Sequence, residues 1–206
     1  MVTYEDKLNR DLNWALDEAS RHFDEANSVH KTLRAITRRL TELGIAHAVV
    51  GGLAMFAHGY RRFTEDVDLV VTRDGMNQII EKLEGLGYVQ PAGTSTKLRD
   101  TTTGVRIEFL ITGQFPGDGK AKPVAFPDPA DVGVEIGGIR FLKLPVLIEL
   151  KLASGISAAH RLKDLADVQE LIRTLQLPKD LAEILNPYVR AKYAELWSSA
   201  QTTETQ

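Results

Sequence analysis

The stretch VVGGLAMFAHGYRRFTEDVDLVV, residues 49–71, restricts the fold of this chain more than any other. An apolar strand, IAHAVV, ends at Gly51-Gly52; GLAMFAHG reads as a short helix, and DVDLVV as a second strand. Alternate strand residues share a face, so Asp66 and Asp68 project together, roughly 6–7 Å apart, while Val67 and Leu69 point the other way into a core. Two carboxylates that close repel each other. The usual relief is a divalent cation, a bound proton or a basic partner, and among cations Mg²⁺ suits an oxygen-only donor set.

Further along, VRIEFLI repeats the design. Val105, Ile107, Phe109 and Ile111 lie on one face, Arg106, Glu108 and Leu110 on the other. If this strand pairs beside DVDLVV, Glu108 completes a three-acid cluster at the sheet end, an arrangement suited to two-metal phosphoryl chemistry. Gly51 and Gly52 supply the complementary half: at a strand end and helix start, their N–H groups would cradle a phosphate that a larger residue would hold away. The other glycine-rich stretch, FPGDGKA, lacks the spacing and the Ser/Thr of a P-loop, and no dinucleotide fingerprint is present.

The flanking pattern predicts an α/β (α+β) fold with a mixed β-sheet core. Residues 5–43 read as helical up to Gly44, with Leu8, Leu12, Ala15 and Leu16 on one stripe and Leu33, Ile36 and Leu40 on another. DGMNQIIEKLEGLG reads as a helix capped by Asp74. YVQ, STKLRD and VRIEFLI are strands, TGQFPGDGKAKPVAFPDPADVG is a surface loop, and VEI and IRFL flank a Gly137-Gly138 hairpin turn. From Pro145 onward the chain reads as helical, with shorter pieces begun by Pro178 and Pro187, and the tail after Trp197 reads as disordered. The expected division is N-terminal helices over 1–43, a core over 44–144, a helical portion over 145–200 and a disordered tail over 201–206.

Composition adds exclusions. With 206 residues, 43% of them hydrophobic, the chain can bury a sizeable core. It has no cysteine, which removes disulfides, thiolate metal sites and cysteine nucleophiles. The N-terminus is too charged for a signal peptide and no run of eighteen apolar residues occurs, so a cytoplasmic location without membrane contact is expected. A formal net charge of −3 argues against nucleic-acid binding by the whole surface, though a local basic patch remains compatible with it.

A glycine pair, thirteen intervening residues and Asp-Val-Asp-Leu resemble the signature of the DNA polymerase β-like nucleotidyltransferase superfamily. RRFTEDVDLVV and the downstream LKLPVLIELKLASG and AAHRLKDLADV are similar to its abortive-infection branch, the toxin half of type IV toxin-antitoxin pairs, over residues 45–175. The resemblance implies an NTP substrate, Mg²⁺ held by Asp66, Asp68 and Glu108, and a lysine and an acid from the helical part, matched by Lys151 and Asp164, that complete the nucleotide site. It also implies an antitoxin protein as partner and RNA as a candidate acceptor. Many members of the branch have Gly-Ser where this chain has Gly51-Gly52, so a base preference does not carry over.

Each candidate has a plainer alternative. Asp66 and Asp68 would alone suit a solvated edge or a structural cation site, and Glu108 could pair with Arg61, Arg62 or Arg106. Arg62 and Thr64 would orient the loop before the acids or touch phosphate, with a plain solvated arginine as the alternative for Arg62. Lys151, between Leu150 and Leu152, could snorkel to solvent, and Lys163 and Asp167 could form an intrahelical ion pair. His47, His58 and His160 show no metal-ligand spacing. The expected activity is Mg-dependent transfer of a nucleoside monophosphate from an NTP to an acceptor hydroxyl. The alternatives are a small-molecule, antibiotic-type nucleotidyltransferase and a non-catalytic relative that binds nucleotide or a partner.

Overall fold

The computed structural model describes residues 2–202. Three helices come first, α1 (Tyr4–Arg10), α2 (Leu12–Phe23) and α3 (Ser28–Glu42). The run expected over 5–43 is broken where short polar side chains cap new helices. Thr3 and Asp6 form a reciprocal capping box on α1, Asp11 accepts from the Trp14 N–H on α2, and Asn27 accepts from the His30 N–H on α3.

Next come β1 (His47–Val50), α4 (Gly51–Ala57), β2 (Asp66–Val71) and α5 (Arg73–Leu83). The cap of α5 is Thr72, whose hydroxyl accepts from the Gly75 N–H, and not Asp74, which lies in the first turn with its charge toward the positive end of the helix. The strands β3 (Tyr88–Val89), β4 (Lys97–Asp100) and β5 (Arg106–Ile111) follow, then α6 (Pro129–Val132), β6 (Gly133–Ile136) and β7 (Ile139–Leu142). The chain ends in α7 (Leu144–Ser157), α8 (Leu162–Leu175) and α9 (Pro187–Thr202). Residues 198–202, read from sequence as part of a disordered tail, thus continue α9, and 203–206 lie outside the described residues. Among the described residues no helix is long and apolar enough to cross a membrane.

The strands form one mixed sheet in the order β3-β4-β5-β2-β1-β7-β6. Strand β2 runs antiparallel to β1 and parallel to β5, while β4 is antiparallel to β5. Alternation holds along β2 and β5: Val67, Leu69, Ile107 and Phe109 are buried, whereas Asp66, Asp68, Arg106 and Glu108 are half-buried on the opposite face. Helix α3 packs against β2 and α5 against β5, and α7, α8 and α9 pack on one another. Helix α7 is apolar nearly all round, with Leu147, Ile148, Leu150 and Leu152 buried, as befits a helix covered on all sides. Gly155 brings α8 close, since a Cβ there would lie 2.5 Å from Leu165 Cγ.

The segment expected as a surface loop is in part a packed one. Val124 is buried, and Gly117 crosses α7 so closely that a Cβ would lie 2.7 Å from the Ser154 carbonyl oxygen. That crossing brings the loop over the polar face of β2 and β5.

Candidate active site

A cleft of about 430 Å³ lies between the polar ends of β2 and β5, the loop after β5, and α7 with the start of α8. Asp66, Asp68, Glu108, Lys151 and Asp164 all line it, as does Gly51. The pairing that Glu108 required is present, with Asp66 beside Arg106 and Asp68 beside Glu108 in the parallel β2–β5 register. The three acids therefore share one face across two adjacent strands.

The outer two each have a cation. Arg106 Nη2 donates to Asp66 Oδ2 at 2.6 Å, and Thr64 Oγ1 donates to Asp66 Oδ1 at 3.1 Å. Lys97 Nζ lies 3.4 Å from Glu108 Oε1. The cation beside Glu108 is thus Lys97, not Arg61, Arg62 or Arg106. Register decides this, because β4 pairs on the far side of β5 and places Lys97 opposite Glu108. Asp68, between them, has no direct ion pair among the described residues. Burial, followed by the charges of Asp66 and Glu108, pushes its carboxyl up to about 8, only partly offset by Lys151 and Arg106.

The glycine pair has two separate reasons. Gly51 adopts φ +68°, and a Cβ there would lie 2.2 Å from Asp68 Oδ2, so the backbone and the middle carboxylate can approach only if residue 51 has no side chain. Val50, opposite Asp68 in the β1–β2 pairing, sets that approach. Gly52 is buried and makes room for Thr64, whose Cβ would be 2.8 Å from a Cβ at position 52. Only Gly51 of the pair lines the cleft; Gly52 seats the threonine that holds Asp66.

On the helical wall, Lys151 is 8% exposed, so it does not snorkel. Its Nζ lies 3.0 Å from Asp164 Oδ1 and 2.7 Å from Asp167 Oδ2. Burial raises the Asp164 carboxyl, but Lys151, the Ser154 hydroxyl and Arg161 together outweigh it and hold the group below its usual value. Asp167 is turned inward and also meets Arg62 Nε at 3.0 Å, so the intrahelical pair with Lys163 does not form; Lys163 is exposed. Arg62 is spent on Asp167 and on the Phe63 carbonyl and is not among the cleft residues. Thr64 acts on the site through Asp66.

Lys97 was not singled out from sequence, and Arg106 and Asp167 were considered there only as ion-pair partners, of Glu108 and of Lys163. Asp167 carried a signal, since it lies on the stripe of α8 that includes Val168 and Leu171, both buried. His47 Nδ1 bonds the Ile45 carbonyl and His58 Nε2 the Leu142 carbonyl, as expected of packing histidines, and His160 is exposed.

The acids fit a hard divalent cation by donor chemistry: three carboxylates share one face of two paired strands, and the middle one has no cation of its own among the described residues. They are not drawn into a ready-made cage, for among the described residues no group of three or more His, Asp or Glu is so assembled.

No family model matches the sequence, and no curated protein matches it either. Solved structures do resemble it. An antigenic nucleotidyltransferase-like protein from Paracoccidioides brasiliensis aligns with a TM-score of 0.52 at 18% identity, covering 85% of this chain and 89% of that one. ANT(2")-Ia, solved in complex with adenylyl-2"-tobramycin, aligns with a TM-score of 0.50 at 13% identity, over 85% and 98% of the two chains. At such identities the likeness is one of architecture, and the mixed sheet with its helical partner shows that this chain has the nucleotidyltransferase fold.

Proposed function

We propose that the protein is a Mg²⁺-dependent nucleotidyltransferase that moves a nucleoside monophosphate from an NTP to an acceptor hydroxyl, with pyrophosphate leaving. The observation that carries this reading is the placement of Asp66, Asp68 and Glu108 on one face of two paired strands, with the Gly51 backbone against Asp68, inside a cleft of this fold. Asp66 and Asp68 would hold the divalent cation, with Glu108 either sharing a second one or taking the acceptor proton. When bound, the metal supplies charge neutralisation of the triphosphate and of the leaving pyrophosphate. The Gly51 backbone gives phosphate a close approach. Lys151, fixed by Asp164 and Asp167, would meet the phosphates from the wall opposite the acids, and Arg161, half exposed and bonded to Asp164 and Ser154, stands beside it at the rim.

RNA is the acceptor we favour, with the protein acting as the toxin of a toxin-antitoxin pair. This reading rests on the resemblance of RRFTEDVDLVV and AAHRLKDLADV to the abortive-infection branch; Lys97, Arg106 and Arg161 are each paired with an acid of the cleft, so its charge alone favours neither a polyanion nor a polycation. A small-molecule acceptor is the second reading, supported by the shared fold of ANT(2")-Ia, which holds an adenylylated tobramycin. The test is incubation with each labelled NTP, Mg²⁺ and cell extract, with Asp68→Asn as control. Label in RNA supports the first reading and label in small molecules the second. Nucleotide binding without transfer to either points to a non-catalytic relative.

A further inference from the structure

Both oxygens of Asp66 are occupied, Oδ2 by Arg106 and Oδ1 by Thr64. Arg106 reaches Asp66 because the two are direct neighbours in the β2–β5 register, and the same geometry gives Glu108 its Lys97. The hold of Arg106 is incomplete: its Nε–H is buried and has no acceptor among the described residues. A buried donor without a partner costs free energy, and a guanidinium offers a fork that matches two phosphate oxygens. Its side chain is 36% exposed and lines the same cleft as Asp68 and Lys151, so it can reorient without disturbing the core.

We propose that Arg106 is the resident counterion of the acid cluster, that it competes with a divalent cation for Asp66, and that a phosphate of the nucleotide draws it away. A guanidinium and a divalent cation repel and compete for the same carboxylate oxygen, so Arg106 weakens cation binding in the absence of nucleotide. A triphosphate gives the displaced guanidinium, including its orphaned Nε–H, new acceptors. Cation and nucleotide then strengthen each other's binding, and the linkage is reciprocal. This inference rests on the nucleotidyltransferase reading of the same cleft and adds a positioning residue to it.

The test uses the full chain and two separate probes, Mn²⁺ without any polyphosphate, followed by electron paramagnetic resonance, and inorganic tripolyphosphate in excess chelator, followed by calorimetry. Arg106→Gln is expected to bind Mn²⁺ about tenfold more tightly and tripolyphosphate about tenfold more weakly than the wild type, as loss of one charge at ion-pair distance requires. Arg106→Lys, which keeps the charge, should retain most of the wild-type behaviour. A residue that merely held the strands together would not move the two affinities in opposite directions. Should Arg106→Gln fail to fold, Asp66→Asn carries the test: it releases Arg106 and should tighten tripolyphosphate binding, and Asp66→Asn with Arg106→Lys should keep that gain. Unchanged or weaker Mn²⁺ binding by folded Arg106→Gln, or no gain from Asp66→Asn, overturns the counterion role and leaves the metal site standing. No Mn²⁺ binding by either protein overturns the metal site itself.

Discussion

Gly51 and Asp68 approach so closely that a single added methyl group on the glycine would lie 2.2 Å from the carboxylate oxygen. The contact joins the end of β1 to the middle acid of β2, and it makes residue 51 a determinant of where Asp68 points. Gly51→Ala would also have to hold φ near +68°, a conformation that costs an L-residue about 1–2 kcal/mol. The expected outcome is a lower melting temperature together with loss of transfer by about tenfold or more, because Asp68 is pushed from its place. Thermal unfolding and single-turnover transfer with saturating NTP check it; an alanine variant with wild-type transfer would remove the Gly51 contact from the site.

The raised carboxyl of Asp68 predicts a pH dependence. Its value in the folded protein, about 8, lies above its ordinary 3.8, so the folded state holds the proton more tightly than the unfolded chain. Its contribution to stability is fully present below about 4 and is lost as pH rises through about 8. In chelator, the wild type should lose stability relative to Asp68→Asn between pH 5 and pH 8, and a divalent cation should restore it at the upper end. Paired melting curves at the two pH values measure the difference, and a gap that stays constant with pH would contradict the burial and repulsion assigned to Asp68.

Lys151 and Lys163 make a contrasting pair. Lys151 is buried between Asp164 and Asp167, and Lys151→Met would leave Asp164 to Arg161 and the Ser154 hydroxyl and Asp167 to Arg62. The expected cost is about 3–5 kcal/mol, the range for breaking a buried ion pair from one side. Lys163 is exposed, and Lys163→Ala should change stability by no more than about 0.5 kcal/mol. Denaturant unfolding of the two variants separates these values clearly; equal effects would mean that Lys151 is not the buried tie.

Glu108→Gln distinguishes chemistry from pairing. If Glu108 holds a cation or takes the acceptor proton, the variant keeps its shape and most NTP binding yet loses transfer. If its role were the partly exposed pair with Lys97, the change would cost at most about 1 kcal/mol and leave transfer near normal. Single-turnover transfer, with thermal unfolding alongside, decides. Near-wild-type transfer by the folded variant would reduce the centre to two acids.

What the sequence determined by itself was local: a strand, a glycine pair, a short helix, and a strand with two acids on one face and apolar residues on the other. Side-chain alternation has a period of two and needs no tertiary information, so Asp66, Asp68 and the polar placement of Glu108 were legible at once. Local competition was less so, as Thr72 rather than Asp74 capping α5 shows, since both residue types suit the position. Only the tertiary structure decided which strand lies beside β2, and hence that Asp68 meets Glu108 and Asp66 meets Arg106. It also decided that Lys97 reaches Glu108 across β5, that Thr64 fills the space Gly52 leaves, and that Asp167 turns inward to Lys151 and Arg62. The physical reason is common to all of these. An ion pair or close contact between separate elements depends on strand register and helix packing, and those are settled by burial of the whole core rather than by the residues near each charge.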